Sequence, residues 1–185
     1  MAERVCPWWM GYLLANPIRK LMQDPEKILS PIVAPSTWVL EIGPGMGFFT
    51  IPLARLVGER GKIVCVDLQE RMIEALMKRV NKAGLSDRVA GRTCTSSSLQ
   101  VNDLAGRFDF ALAFAVVHEV PNARNLFSEI HAALKTGGKL LVSEPTGHVT
   151  KEGFQSTVAS AESAGFREVE VPTIRRSLSS LLLKV

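Results

Sequence analysis

The chain has 185 residues, enough for one well-buried domain and too few for a second of full size. Apolar residues make up 46% and charged residues 22%, a balance that excludes a disordered chain and predicts a packed core. The formal charge of +4 comes from Lys and Arg spread along the sequence, the pattern of a solvated surface and not of a nucleic-acid groove.

Asp24-Pro25-Glu26 reads as an N-cap followed by proline at the first helical position, so a short helix should precede the first strand. Trp38 to Ile42 is short, rich in β-formers and bounded by Pro35-Ser36 and Gly43-Pro44, as a buried strand is. A helix through Val57 follows, then a second strand at Lys62 to Asp67. Ile73, Leu76, Met77 and Val80 recur at helical spacing, with Gly84 placed to end that helix. Val89 to Cys94 is a weak strand and Phe108 to Phe114 a strong one. Leu126, Ile130, Ala133 and Leu134 share one helical face, which Gly137-Gly138 should end. Lys139 to Ser143 is another buried strand, and Thr150 to Ala164 is helical in pattern with Gly165 as its cap. Val169 to Val171 and Leu178 to Val185 then arrive as strands with no helix between them.

Alternation of this kind predicts an α/β fold: a mostly parallel sheet with helices on both faces and an antiparallel hairpin at one edge. A single domain is expected, with an N-terminal helical segment at residues 1–36 and the core at 37–185. No apolar run reaches the ~18–20 residues of a membrane span. The N-terminus, MAERVCPWWMGYLLANP, has too few basic residues for a signal peptide, so a cytoplasmic protein is expected. Cys6, Cys65 and Cys94 are an odd number without a CxxC pair, which argues against a disulfide framework and against a zinc site. Cys65 and Cys94 read as small core residues.

In Glu41-Ile42-Gly43-Pro44-Gly45-Met46-Gly47, glycines follow a strand and precede a helix, where a tight turn lets backbone amides approach a ligand. Asp67 ends the next strand, twenty residues past Gly47, where a carboxylate can accept both hydroxyls of a ribose. The bland alternative is a glycine turn followed by an acidic helix cap. A dinucleotide loop needs a small residue five positions after Gly43; that position is Phe48, which argues against a pyrophosphate ligand. The phosphate-cradling G-x-x-x-x-G-K-[ST] pattern is also absent.

Four segments together resemble the Rossmann-like class I S-adenosylmethionine-dependent methyltransferases, most closely the ubiquinone and menaquinone methyltransferase-like branch. They are Val39 to Gly47, Asp67 after Ile63-Val64-Cys65-Val66, Phe108 to Val120 with His118, and Leu134 to Val142. The resemblance implies a seven-stranded sheet of order 3-2-1-4-5-7-6 with the last strand antiparallel. It implies S-adenosyl-L-methionine as cofactor and S-adenosyl-L-homocysteine as product. It places Glu41 near the methionine amino group, Gly43, Pro44 and Gly45 against the methionyl part, and Asp67 on the ribose with Leu68 beside the adenine. Ala113 would lend its backbone to the methionine end. The family usually has an Asp after the third strand for the adenine amino group; here the segment reads Cys94-Thr95-Ser96, so Thr95 or Ser96 would have to accept that bond, more weakly than a carboxylate.

His118 follows the fourth strand, where the family often has a histidine beside the acceptor. An imidazole there could take a proton as methyl transfer proceeds, although a hydrogen-bonded structural role fits the position as well. Glu119 reads as solvent-facing or capping, and Trp8-Trp9-Met10-Gly11-Tyr12 as either an acceptor-pocket wall or a staple for the extra helix. The expected activity is methylation of a small molecule. The amino-nitrogen motif Asn/Asp-Pro-Pro-Tyr is replaced by Ala113-Phe114-Ala115-Val116, which lowers base methylation and leaves RNA, protein or a catalytically silent cofactor-binding partner as the alternatives. The short stretch before the last hairpin leaves little room for a lid, which predicts an open pocket or one completed by a second copy in a homodimer.

Overall fold

The structure, a computed structural model, describes residues 23–185. These form two compact units, 23–94 and 95–185. The aromatic cluster at Trp8, Trp9 and Tyr12, and Cys6, lie outside the described residues.

The first unit opens with helix α1 (Pro25–Leu29), whose N-cap Asp24 accepts the Glu26 N–H at 3.1 Å, as the Asp-Pro-Glu run predicts. Strand β1 (Trp38–Ile42) pairs in parallel with β2 (Lys62–Asp67), which pairs in parallel with β3 (Val89–Thr93). Between them run α2 (Thr50–Val57) and α3 (Glu70–Lys82). Met72, Ile73, Leu76 and Val80 are the buried stripe of α3, and the helix ends where expected: Gly84 takes φ +69° and the Leu85 N–H returns to the Val80 carbonyl at 3.1 Å. β1 and β2 are buried nearly end to end, which is why both read as unbroken apolar runs with a single charged interruption in β1, Glu41.

The second unit holds β4 (Phe108–Phe114), α4 (Ala123–Ala133), β5 (Leu134–Pro145), α5 (Lys151–Ser163), β6 (Phe166–Glu170) and β7 (Ser177–Lys184). β4 and β5 are parallel, while β7 runs antiparallel to both β5 and β6. The strand order, β3-β2-β1 in the first unit and β4-β5-β7-β6 in the second, is the 3-2-1-4-5-7-6 order of a seven-stranded mixed sheet. Phe108, Phe110, Phe127, Ile130 and Leu140 are fully buried in the second unit's core.

Two boundaries differ from expectation. Leu134 begins β5 instead of closing the helical face, and Gly137-Gly138 lie within β5, four residues past the end of α4. The helix stops at Ala133 because other groups take its last carbonyls: Gly106 N–H bonds Ala132 O at 2.9 Å, Arg107 N–H bonds Ala133 O at 3.0 Å, and Lys184 Nζ donates to His131 O at 2.6 Å. The glycines then form an excursion in β5, since Phe108 pairs with Leu134 but Phe110 pairs with Lys139. The other shift is in β6, which starts at Phe166 because that ring is buried edge-on against His131; Val171 falls beyond the strand and is 66% exposed.

Candidate functional site

In the first unit, β1 gives way to a turn whose three glycines all take positive φ: +62° at Gly43, +54° at Gly45 and +84° at Gly47. Only glycine adopts this succession without strain. The turn is tied to the sheet by the Gly43 N–H, which bonds Val66 O at 2.9 Å. Gly47 has a second reason to lack a side chain, because a Cβ there would come within 2.7 Å of Leu76 Cδ1 on α3. Around Gly45, by contrast, a Cβ would meet no atom within 4 Å, so its left-handed backbone faces open space. Pro44 is buried between them, and the Phe48 ring, half-buried, meets Phe49 edge-on at 5.2 Å.

Beneath the turn, Glu41 is 3% exposed. It pairs in register with Cys65 of β2, so both side chains fall on one face of the sheet, and the first residue of α2, Thr50, comes down onto the same face. Thr50 Oγ1 donates to Glu41 Oε2 at 2.7 Å and Cys65 Sγ lies 3.4 Å from that oxygen. Burial pushes the Glu41 carboxyl up to about 7, against the smaller opposing effect of these two bonds. Burial and the neighbouring Glu41 carboxylate push the Cys65 thiol well up, so it stays a protonated donor. The sequence reading of Cys65 as a small core residue therefore missed its bond to Glu41, which only the β1–β2 register reveals.

Asp67 stands at the end of β2 and its Oδ1 accepts the Gln69 N–H at 2.9 Å, so the carboxylate also steadies the entry to α3. Leu68 beside it is 37% exposed, an apolar surface that a flat ring could cover.

The other sequence-singled residues lie in the second unit. Ala113 is fully buried in β4, opposite Val142 of β5. Thr95 and Ser96 are exposed on the loop that follows β3, and the Thr95 hydroxyl is turned onto its own loop, accepting the Ser98 N–H at 3.1 Å. That loop is fastened by two residues of α4 that the sequence reading did not single out. Asn125 Nδ2 donates to Ser97 O at 2.9 Å, and Glu129 Oε2 accepts the Leu99 N–H at 2.6 Å. Their i, i+4 spacing places both on one helix face, the only trace of this role in the sequence.

His118 lies in a single 3-10 turn, Val117–Glu119, with its ring 21% exposed. Its Nδ1 is bonded to Oε2 of Glu144, a carboxylate 1% exposed at the end of β5 whose Oε1 accepts the Val117 N–H at 2.7 Å. The Glu144 bond is the chief cause that holds the His118 imidazole above its ordinary value, outweighing partial burial. On the other side of the ring, Nε2 faces Nδ1 of His148 at 3.4 Å and Oε1 of Glu119 at 4.0 Å. Glu119 is thus half-buried beside His118 instead of fully solvent-facing. Neither Glu144 nor His148 emerged from the sequence, although a charged residue at the C-terminal end of a parallel strand was a usable sign. Among the described residues, no group of three His, Cys, Asp or Glu is arranged to hold a metal ion, and no helix is long and apolar enough to cross a membrane.

A Rossmann-like sheet carrying a glycine turn after its first strand and a carboxylate after its second defines a nucleoside-binding α/β protein. Residues 39–138, more than half of the chain, match the methyltransferase domain family, and the chain belongs to that family. It is 28% identical over 122 residues to a demethylmenaquinone methyltransferase of Lactobacillus johnsonii, a match covering 64% of this chain and 49% of that protein. It is 29% identical over 112 residues to the ubiquinone/menaquinone biosynthesis C-methyltransferase UbiE of Hydrogenovibrio crunogenus, covering 60% of this chain and 43% of that protein. The chain thus spans about half the length of these curated relatives. In structure it is similar to a SAM-dependent methyltransferase from Aquifex aeolicus, with a TM-score of 0.88 at 24% identity, covering 98% of this chain and 100% of that one. The fold is that of S-adenosylmethionine-dependent methyltransferases.

Proposed function

We propose that this chain transfers a methyl group from S-adenosylmethionine to a small-molecule acceptor in the cytoplasm, leaving S-adenosylhomocysteine. The observation that carries the reading is the positive-φ glycine turn above a buried Glu41, followed by Asp67 and the exposed Leu68 at the end of the next strand. The matched family segment runs through both compact units, which supports reading them as one catalytic domain.

The residues fit the cofactor. Gly43, Pro44 and Gly45 form a backbone cradle whose open side at Gly45 a side chain would fill. Glu41, poised near pH 7, can ionise when it meets an ammonium group, with Thr50 and Cys65 remaining as its donors. Asp67 keeps acceptor capacity for ribose hydroxyls beyond the Gln69 amide, because an ionised carboxylate offers about four lone-pair sites. Leu68 offers its exposed side chain to an adenine face, and the second unit carries Thr95, Ser96 and Ala113, the remaining residues that the resemblance assigns to the cofactor. When bound, the cofactor supplies an electrophilic methyl on a sulfonium, so the chain's remaining task is to align the acceptor and take its proton. His118, with its Nδ1 bonded to Glu144, is suited to hold the resulting positive charge.

The demethylmenaquinone methyltransferase relative supports a small, quinone-like acceptor over nucleic acid, as does the spread of basic residues. Calorimetry with S-adenosylhomocysteine and with NAD tests the reading: the former should bind and the latter should not. Tighter binding of NAD would overturn the cofactor assignment.

A further inference from the structure

We propose that Glu144, His118 and His148 form a proton relay in which His148 takes the acceptor's proton at its outer ring nitrogen and the positive charge comes to rest on His118, positioned by Glu144. The proposal rests on the methyltransferase reading for its purpose, but not for its geometry.

Glu144 is fixed at two points, by the Val117 N–H on Oε1 and by the His118 ring on Oε2. A buried ionised carboxylate can only accept, so Nδ1 of His118 must carry the hydrogen. In the neutral ring this leaves Nε2 with the lone pair, and the polar atom facing it is Nδ1 of His148. His148 Nδ1 must then be the donor. Its own lone pair sits on Nε2, at the far side of an exposed ring. The two rings meet edge-on, 5.4 Å between centroids and 83° between planes, which lets the N–H of one reach the edge nitrogen of the other. The turn that carries His148 is itself tied down: the His148 and Val149 N–H groups bond Pro145 O at 3.0 and 3.1 Å, and the Thr146 N–H bonds Arg176 O at 3.1 Å.

An acceptor O–H or C–H bond breaks and its electron pair stays on the acceptor atom, while the proton adds to His148 Nε2. The Nδ1 proton of His148 moves to His118 Nε2, and His148 returns to a neutral ring. His118 becomes an imidazolium facing two carboxylates, Glu144 from β5 and Glu119 from the turn after β4, and one imidazole, His148. The Glu144 bond already holds His118 above its ordinary value, in keeping with charge being stored there. A relay of this kind serves an acceptor whose reacting atom carries an ionisable hydrogen, as a phenol, an enol or a carbon acid does.

Nitrogen-15 histidine NMR on the full chain, without cofactor or acceptor, tests the relay apart from the methyltransferase reading. The native chain should show His118 as the Nδ1–H tautomer at high pH, with its Nε2 signal responding to the His148 ring. Glu144→Gln should mix the tautomers and lower the His118 midpoint. His148→Ala, an exposed change that the fold should accept, should keep the tautomer and alter the His118 titration by removing the ring that faces its Nε2. An Nε2–H tautomer in the native chain, or a His118 titration that His148→Ala does not alter, overturns the relay. With labelled S-adenosylmethionine and reduced demethylmenaquinone as the acceptor probe, His148→Ala should slow transfer by about a hundredfold with unchanged cofactor affinity. An unchanged rate overturns the role of His148, whereas no transfer by the native chain overturns the quinone-like acceptor and leaves the spectra to decide the relay.

Discussion

Each unit buries one carboxylate beside the end of a parallel strand, and the two are handled in opposite ways. Glu41 is surrounded by neutral donors, the Thr50 hydroxyl and the Cys65 thiol, so burial prevails and the carboxyl is pushed up to about 7. Glu144, more deeply buried, is given a backbone N–H and an imidazole, and it is the imidazole whose proton affinity rises. A buried acid thus becomes a titrating group where its partners are neutral, and an anchor for a cation where its partner can take up charge. The first arrangement suits a site that receives a positive ligand; the second suits one that receives a proton.

The contrast breaks most sharply at Glu144. Glu144→Ala removes two hydrogen bonds, one to an ionisable ring, and leaves the buried Val117 N–H without its acceptor. Bonds to charged groups contribute ~1.5–3 kcal/mol each, so a loss of about 4 kcal/mol is expected in urea unfolding. A change below about 1 kcal/mol would mean that water replaces the carboxylate without difficulty.

The pH dependence of stability sharpens the same contrast. Glu41 has a folded value near 7 against an ordinary 4.5, so between those limits the native state binds more protons than the unfolded one and stability falls as pH rises. Glu41→Gln removes this slope. Relative to the native chain, the variant should gain on the order of 3 kcal/mol between pH 4 and pH 8. His118 is also raised, so its contribution is complete below 6.5 and is lost as pH climbs through its folded value. That upper slope should survive in Glu41→Gln and flatten in Glu144→Gln. Parallel pH profiles for the native chain and Glu41→Gln would show that Glu41 does not titrate in this window.

Asp67 tests the ligand side of the first unit. Two charge-assisted bonds to a ribose predict that Asp67→Ala weakens cofactor binding by roughly 3 kcal/mol, about a hundredfold in dissociation constant. Because Oδ1 also holds the Gln69 N–H at the start of α3, the variant without cofactor should lose ~1 kcal/mol of stability as well. Calorimetry and thermal melting separate the two. Unchanged affinity with lowered stability would reduce Asp67 to a helix-entry residue.

What the sequence made legible follows from what is local. The glycine turn and Asp67 announce themselves because positive φ and a strand-end carboxylate are written in residue type and spacing, and β1 and β2 read as apolar runs. The helices, too, could be read from periodicity and caps, as at Asp24 and Gly84. The end of α4 could not, because it is set by N–H groups of residues 106 and 107 and the ammonium of Lys184, all distant in sequence. The same holds for the sites: His118 was visible beside its strand, but Glu144, 26 residues later, and His148, 30 residues later, join it only through the β4–β5 pairing and the turn that follows. Cys65 and Thr50 likewise meet Glu41 across strands and helix, where no spacing rule reaches.

The smallest expected effect concerns how the two units leave their strands. After β1, left-handed backbone is supplied by glycines without strain, whereas after β4 it falls on Ala115, at φ +56°. A left-handed alanine costs ~1–2 kcal/mol, and it is held there by the Ala115 N–H, which bonds Ser143 O at 2.7 Å. Ala115→Gly relieves that strain but gives the unfolded chain more freedom, which offsets ~0.5–1 kcal/mol of the gain. The net change should therefore be a stabilisation of about 0.5 kcal/mol, measured by denaturant unfolding. Ala115→Val, branched at Cβ in the same backbone, should lose more than 1 kcal/mol by the same steric reasoning. If glycine instead destabilised by about 1 kcal/mol or more, the Ala115 methyl would be contributing packing that outweighs its backbone strain. The turn carrying His118 would then be held by side-chain contact as well as by the hydrogen bond to Ser143.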